Sequence, residues 1–305
     1  FILSRMLTIR QLRYFSTLSE TLHFGQAAKR LNTSQPALSA QIAQMEEFFG
    51  GPLFQRASSG VTLTSDGALI GARVRRILAE MQELESLATS GETLLSRRLR
   101  LGMIASVAPY VLPTFLQALA SEYPSLVCEI RESVTDRLVA DLAVGEIDCA
   151  VVALPLDDPL LESIALFEDR FYLALPAAEA SRLPQPVPLS ALRNERLILL
   201  EEGHCLRAQA LDICRIADAG EMAGLGATSL TTILRMVSGG LGATLIPEMA
   251  IPDETRSGGI AILPFEAPTP YRTIALAFRP STARRRDFEA LADLLRRSQP
   301  PAGAA

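Results

Sequence analysis

The spacing of apolar residues changes once along this chain, and that change restricts the fold more than any other feature. Over roughly the first 90 residues the apolar positions recur at helical intervals; beyond about Arg97, short apolar runs alternate with helical stretches. Ile9, Leu12, Phe15 and Leu18 predict one short helix, and Phe24, Ala27, Ala28 and Leu31 a second. Asn32-Thr33-Ser34 supplies a turn and a cap. Pro36 then sits in the first turn of a third helix, with Leu38, Ile42, Met45 and Phe49 on one face and a stop at Gly50-Gly51-Pro52. Phe54, Val61 and Leu63 around Ser58-Ser59-Gly60 read as a small β-hairpin.

From Ser65 to about Gly91 the pattern is one long helix. Ile70, Val74, Ile77, Met81, Leu84 and Ala88 form a narrow seam, fitting a dimerising helix or an amphipathic helix packed on its own domain. Further on, a strand at Leu99–Met103 precedes a helix through Leu112, Leu116 and Leu119. A strand near Val127 to Arg131, a helix through Leu138 and Leu142 closed by Gly145, and a strand at Cys149 to Ala153 follow. This order predicts a mostly parallel sheet covered by helices. A second such unit from about Phe171 to Pro264, with Arg272 to Phe278 and Arg284 to Arg297 returning to the first, predicts two α/β lobes around a cleft. The expected domains are residues 6–64, a linker helix over 65–95, and a body over 97–305.

The 305 residues carry a net charge of −5, against coating nucleic acid over the whole surface. Residues 1–64 hold six basic and three acidic side chains, net +3, so a basic head precedes an acidic body. No apolar run approaches the roughly 18–20 residues of a membrane span, and the residues before Met6 lack a signal-peptide pattern, so a cytoplasmic location is expected. The four cysteines form no CxxC pair and only two histidines accompany them, so neither a disulfide framework nor a zinc site is expected. Ser238 to Pro247 contains a GxG without the third glycine of a GxGxxG pattern, so no dinucleotide cofactor is expected either. No catalytic triad, phosphate loop or paired-carboxylate site points to an enzyme.

Phe24 to Ala43 reads as helix, turn, helix, its second helix presenting small or amide-bearing residues that fit a DNA groove. Gln35 and Gln44 are placed to bond base edges and Pro36 to touch a thymine methyl. Ala40 keeps the face slim, and Ser34, Ser39 and Arg56 are placed for phosphates. Leu12-Arg-Tyr-Phe15, Ala27-Ala-Lys-Arg-Leu31, Ser34-Gln-Pro-Ala-Leu-Ser39, Gln41-Ile-Ala-Gln-Met-Glu46 and Leu53-Phe-Gln-Arg56 together closely resemble the LysR-type transcriptional regulators. The resemblance extends over essentially the whole chain from Met6. It implies a winged helix-turn-helix head, a coiled-coil linker, a two-lobed periplasmic-binding-protein-like effector domain and a dimer of dimers on promoter DNA.

Gly203-His-Cys-Leu-Arg207, the following Gln-Ala and a second cysteine at 214 resemble the peroxide-sensing, OxyR-type branch of that family. Two departures are conservative: Ser106 stands where threonine is usual and Glu202 where aspartate is. A peroxide-reactive sulfur must be a thiolate, and Cys205 falls where a glycine-led turn enters a helix, flanked by His204 and Arg207. The resemblance implies that Arg272 is a further cation, that Thr135, Ser106 and His204 hold the peroxide oxygens, and that Cys214 closes a disulfide on oxidised Cys205. It also implies hydrogen peroxide as the signal, oxidative-stress genes as targets, RNA polymerase as a partner, and glutaredoxin or thioredoxin as reductant. Cys128 and Cys149 read as buried core residues. The competing functions are a LysR-type regulator gated by an organic metabolite in the cleft and a thiol peroxidase with an incidental head.

Overall fold

The computed structural model describes residues 6–299 except 58–59, 89–93, 96–97, 157, 218–221, 257, 281 and 283. The chain divides into two compact units, residues 1–91 with 143–146, and residues 92–142 with 147–305.

The first unit opens with three short helices, α1 (Ile9–Thr21), α2 (Phe24–Arg30) and α3 (Gln35–Phe49). Each starts on a side chain that satisfies a free helical N–H: Thr8 in a reciprocal pair with Gln11, the His23 imidazole for Gln26, and the Ser34 hydroxyl for Ala37. Leu12, Phe15, Leu18, Phe24, Ala27, Ala28, Leu38, Ile42 and Met45 form its core. Ile9 and Phe49, expected in that core, are exposed at the helix ends. Strands β1 (Phe54–Ala57) and β2 (Gly60–Leu63) pair antiparallel as the wing. The Glu46 carboxylate accepts the N–H groups of Leu53 and Phe54 at 2.9 and 3.2 Å, pinning the wing to α3.

Helix α4 (Ser65–Ala88) continues from the wing. A Cβ on Gly67 would run into the Leu53 carbonyl, so only glycine permits that approach. The seam divides: Val74 is buried in the head core with Ile70 packed beside it, whereas Ile77 and Leu84 are exposed. The Ala88 side chain lies outside the described residues.

The second unit begins with β3 (Leu99–Ile104), α5 (Ala108–Glu122), β4 (Cys128–Ser133), α6 (Thr135–Ala143) and β5 (Cys149–Ala153). β3 pairs parallel with β4 and β5, as the alternating pattern predicts. The buried face of α5 is Tyr110, Val111, Phe115 and Leu119; Leu116, expected inside, is exposed. The remaining elements are β6 (Glu162–Pro176), β7 (Leu197–Leu200), α7 (Cys205–Ile216), β8 (Met222–Ala227), α8 (Leu230–Ser238), β9 (Thr244–Pro247), α9 (Ile251–Glu254), β10 (Ile260–Pro264), β11 (Tyr271–Phe278) and α10 (Arg285–Arg297).

The main sheet runs β10-β6-β11-β5-β3-β4, with β9 also paired to β6. The mostly parallel sheet expected above is corrected: β11 lies antiparallel to both β5 and β6, and β9 and β10 lie antiparallel to β6. The reason is topological. β6 and β11 cross between the lobes in opposite directions, so each must oppose the other. β6 starts well before Phe171; up to Arg170 it pairs with β11, and from Phe171 with β9 and β10. β7 and β8 form a parallel pair of their own in the second lobe.

Candidate functional site

In the head, α3 presents Ser34, Gln35, Pro36, Ala40 and Gln44 exposed, with Ser39 half-buried beside them. Leu38, Ile42 and Met45 occupy the opposite, buried side. Pro36, Ala40 and Gln44 thus run along the solvent side opposite that core, while Ser34 and Gln35 are exposed at the start of the helix. Two of them already have local work: Ser34 Oγ accepts from Ala37 N at 3.3 Å, and Gln44 Oε1 accepts from Gln11 Nε2 at 3.2 Å. Arg56 lies in β1; its side chain is outside the described residues.

In the second unit, Cys205 is the first residue of α7 and is partly buried, while Cys214 lies in the last turns and is buried. Gly203 adopts φ +91°, the left-handed turn that launches the helix, and His204 is its N-cap without contributing a side-chain cap. The first amides of α7 therefore lack a side-chain acceptor and favour negative charge at that end. Arg207 does not stand loose beside the sulfur: its Nη1 donates to the Leu200 carbonyl at 2.8 Å, tying α7 to the end of β7.

The turn before α7 meets the start of α6 from the other lobe, since a Cβ built on Gly203 would lie 3.9 Å from Val134 Cγ1. Thr135, next in the chain, has a buried hydroxyl oxygen with no hydrogen-bond partner, and the Gln209 amide oxygen Oε1, one turn along α7 from Cys205, is likewise buried and unpartnered. Unpaired buried acceptors are costly. Each is suited to bond a small polar molecule.

Ser106 and Arg272 are joined directly. Arg272 Nη1 donates to Ser106 Oγ at 2.8 Å and Nη2 to the Ser106 carbonyl at 3.1 Å, while Nε donates to Asp169 Oδ2 at 2.9 Å. Sequence reading missed Asp169. Asp169 is separated from Arg272 by 103 positions and belongs to no local motif. Gln209 was part of the sequence motif, but its place one turn from Cys205, on the same helical face, gives it a role the motif did not.

The other thiols differ. Cys149 is fully buried and its thiol is held well above the ordinary range, first by burial and then by Asp148. Burial, with Asp148 and Glu129, pushes Cys128 up to about 11. Burial also raises Cys214. Among the described residues no group of three or more His, Cys, Asp or Glu is arranged to hold a metal ion.

A winged helix-turn-helix followed by a two-lobed α/β body is the architecture of a regulator that couples DNA binding to an effector domain. Residues 9–68 match the bacterial regulatory helix-turn-helix proteins of the lysR family and residues 92–300 the LysR substrate binding domain, so the chain belongs to the LysR family. Within it, the similarity is to the OxyR proteins. The chain is 41% identical over 294 residues to a probable hydrogen peroxide-inducible genes activator of Streptomyces viridosporus, covering 96% of this chain and 94% of that one. A cysteine-to-aspartate variant of full-length OxyR from Pseudomonas aeruginosa superposes with a TM-score of 0.82 at 34% identity, covering 98% of this chain and all of that one. A hydrogen peroxide-bound cysteine-to-serine variant of Corynebacterium glutamicum OxyR gives 0.66 at 36% identity, covering 95% and 94%.

Proposed function

We propose that this chain is a hydrogen peroxide-sensing transcriptional regulator of oxidative-stress genes, switched by Cys205 and Cys214. The observation that carries the reading is the unbroken helix between them. Nine residues of α-helix separate their Cα atoms by about 13 Å and place them half a turn apart, whereas a disulfide needs about 4–7 Å. Closing the bond requires α7 to unwind, so one covalent event becomes a change of fold.

The chemistry balances simply. The Cys205 thiolate attacks one peroxide oxygen; the S–O bond forms as the O–O bond breaks, sulfur gives up two electrons, and hydroxide leaves to become water. Cys214 then attacks the sulfenic sulfur, forming S–S and releasing the second oxygen as water. Thr135, His204, Ser106 and Gln209 are the groups we assign to holding the peroxide, with Gly203 shaping the turn and Arg207 and Arg272 fixing the surroundings.

We further propose residues 6–64 as the DNA-binding domain, 65–95 as the dimerising linker and 97–305 as the effector domain. Ser34, Gln35, Pro36, Ser39, Ala40, Gln44 and Arg56 would meet promoter DNA in a cytoplasmic dimer of dimers. In this reading RNA polymerase is the partner in activation, a glutaredoxin or thioredoxin reopens the disulfide, and the chain is not an enzyme. Among the described residues no helix is long and apolar enough to cross a membrane.

The test is mass spectrometry. Trypsin separates Leu197–Arg207 from Ala208–Arg215, each with one cysteine. One equivalent of peroxide should join the two peptides through a disulfide and change the promoter footprint, and Cys205→Ser should prevent both while leaving DNA binding intact. An unlinked pair with an unchanged thiol count would leave the metabolite-gated regulator standing instead.

A further inference from the structure

Asp169 and Arg272 face each other across the β6–β11 ladder, just before β6 passes from one lobe to the other. Their side chains are 2% and 1% exposed. A guanidinium this deep needs a counter-charge, and Asp169 supplies it through Nε. The second carboxylate oxygen accepts the Met249 N–H at 3.1 Å, so both oxygens of Asp169 are fixed. The guanidinium cannot then swing about its stem, and its Nη edge is presented to Ser106.

A serine hydroxyl has one hydrogen and two acceptor sites. Arg272 Nη1 fills one acceptor site, and in the described hydrogen bonds Ser106 Oγ only accepts. Its own hydrogen is left for a further acceptor. We infer that Asp169 is a positioning residue for the peroxide reaction: through Arg272 it fixes Ser106 as a hydrogen-bond donor to the oxygen that leaves when Cys205 attacks. The inference rests on the peroxide-sensing reading above. As the S–O bond forms and the O–O bond breaks, Ser106 donates to the departing hydroxide, which takes a proton from solvent and leaves as water.

The experiment compares the full-length reduced protein with its Asp169→Asn, Ser106→Ala and doubly substituted variants. Oxidation of Cys205 by peroxide is followed alongside its alkylation by monobromobimane, which displaces bromide and breaks no O–O bond. Asp169→Asn should slow peroxide oxidation about tenfold or more, with bimane reactivity within about twofold and promoter binding retained. The double variant should be no slower than Ser106→Ala alone, because both changes interrupt one relay. An unaltered peroxide rate, equal losses towards both reagents, or a double variant showing the product of the single losses would each overturn the inference. Where the Asn variant does not fold, Asp169→Glu keeps the charge but displaces the carboxylate, and a threefold or larger loss confined to peroxide is expected. A wild-type Cys205 untouched by peroxide sinks the sensor reading itself; a reactive wild type beside an equally reactive Asp169→Asn sinks only the role of Asp169.

Discussion

Four identical side chains occupy four different environments here. Cys149 and Cys128 sit on strands flanking β3, and burial with Asp148 nearby disfavours their thiolates. At neutral pH they remain thiols, which peroxide attacks poorly. Cys205 instead begins a helix at a partly open turn. Replacing Cys128 and Cys149 together by serine should leave the 205–214 crosslink within about twofold of the wild-type rate, measured by thiol titration. The raised thiols also make stability depend on pH. A thiol held up in the folded chain stays protonated after the unfolded chain has ionised, so the unfolded state gains as pH rises. For Cys128 the contribution is complete below about pH 9 and is lost as pH climbs through about 11. The loss stays below about 3 kcal/mol, and is reduced because the thiol is only partly buried. Urea unfolding at pH 7.5 and 10.5 should show a smaller decline for Cys128→Ser than for the wild type; equal declines would remove burial of this thiol as the cause.

At the scale of the element, α7 bears two constraints that cannot both be met by a helix. Leu206, Ala210, Ile213 and Cys214 form its buried face, which holds the helix on the second lobe in the reduced state. The proposed disulfide would need the half-turn between the cysteines removed. Hydrogen exchange should therefore find amides 206–214 protected in reduced protein and at least tenfold faster after oxidation. Protection that survives crosslinking would show that something other than α7 moves. The recognition helix was readable because its signals are local: Ser34, Pro36 and Gly50 mark its ends, and Leu38, Ile42 and Met45 its buried side. β6 was read short. Its first half alternates between buried and exposed positions while its second half is nearly continuous apolar chain, and that mixture reflects passage from one set of strand partners to another.

For the whole molecule, the +3 head on an acidic body confines phosphate attraction to one end of the chain, where α3 offers a slim face to a groove. Ile77 and Leu84, exposed on α4, are the part of the predicted seam left over after Ile70 and Val74 pack onto the head. Leu84→Glu should weaken self-association at least tenfold in sedimentation velocity and lower promoter affinity with it. An unchanged assembly would return α4 to the simpler role of a helix packed only on its own domain.

The amino-acid order by itself determined the helix-turn-helix and the strand–helix alternation of the body, because each is written in residues close together along the chain. Only the tertiary structure decided that β6 and β11 run antiparallel between lobes, that Asp169 neutralises Arg272 and aims it at Ser106, and that Thr135 and Gln209 offer unpaired oxygens. Those relations join residues separated by tens to more than a hundred positions. Burial makes their charges and hydrogen bonds matter, and burial is a property of the folded chain rather than of any segment within it.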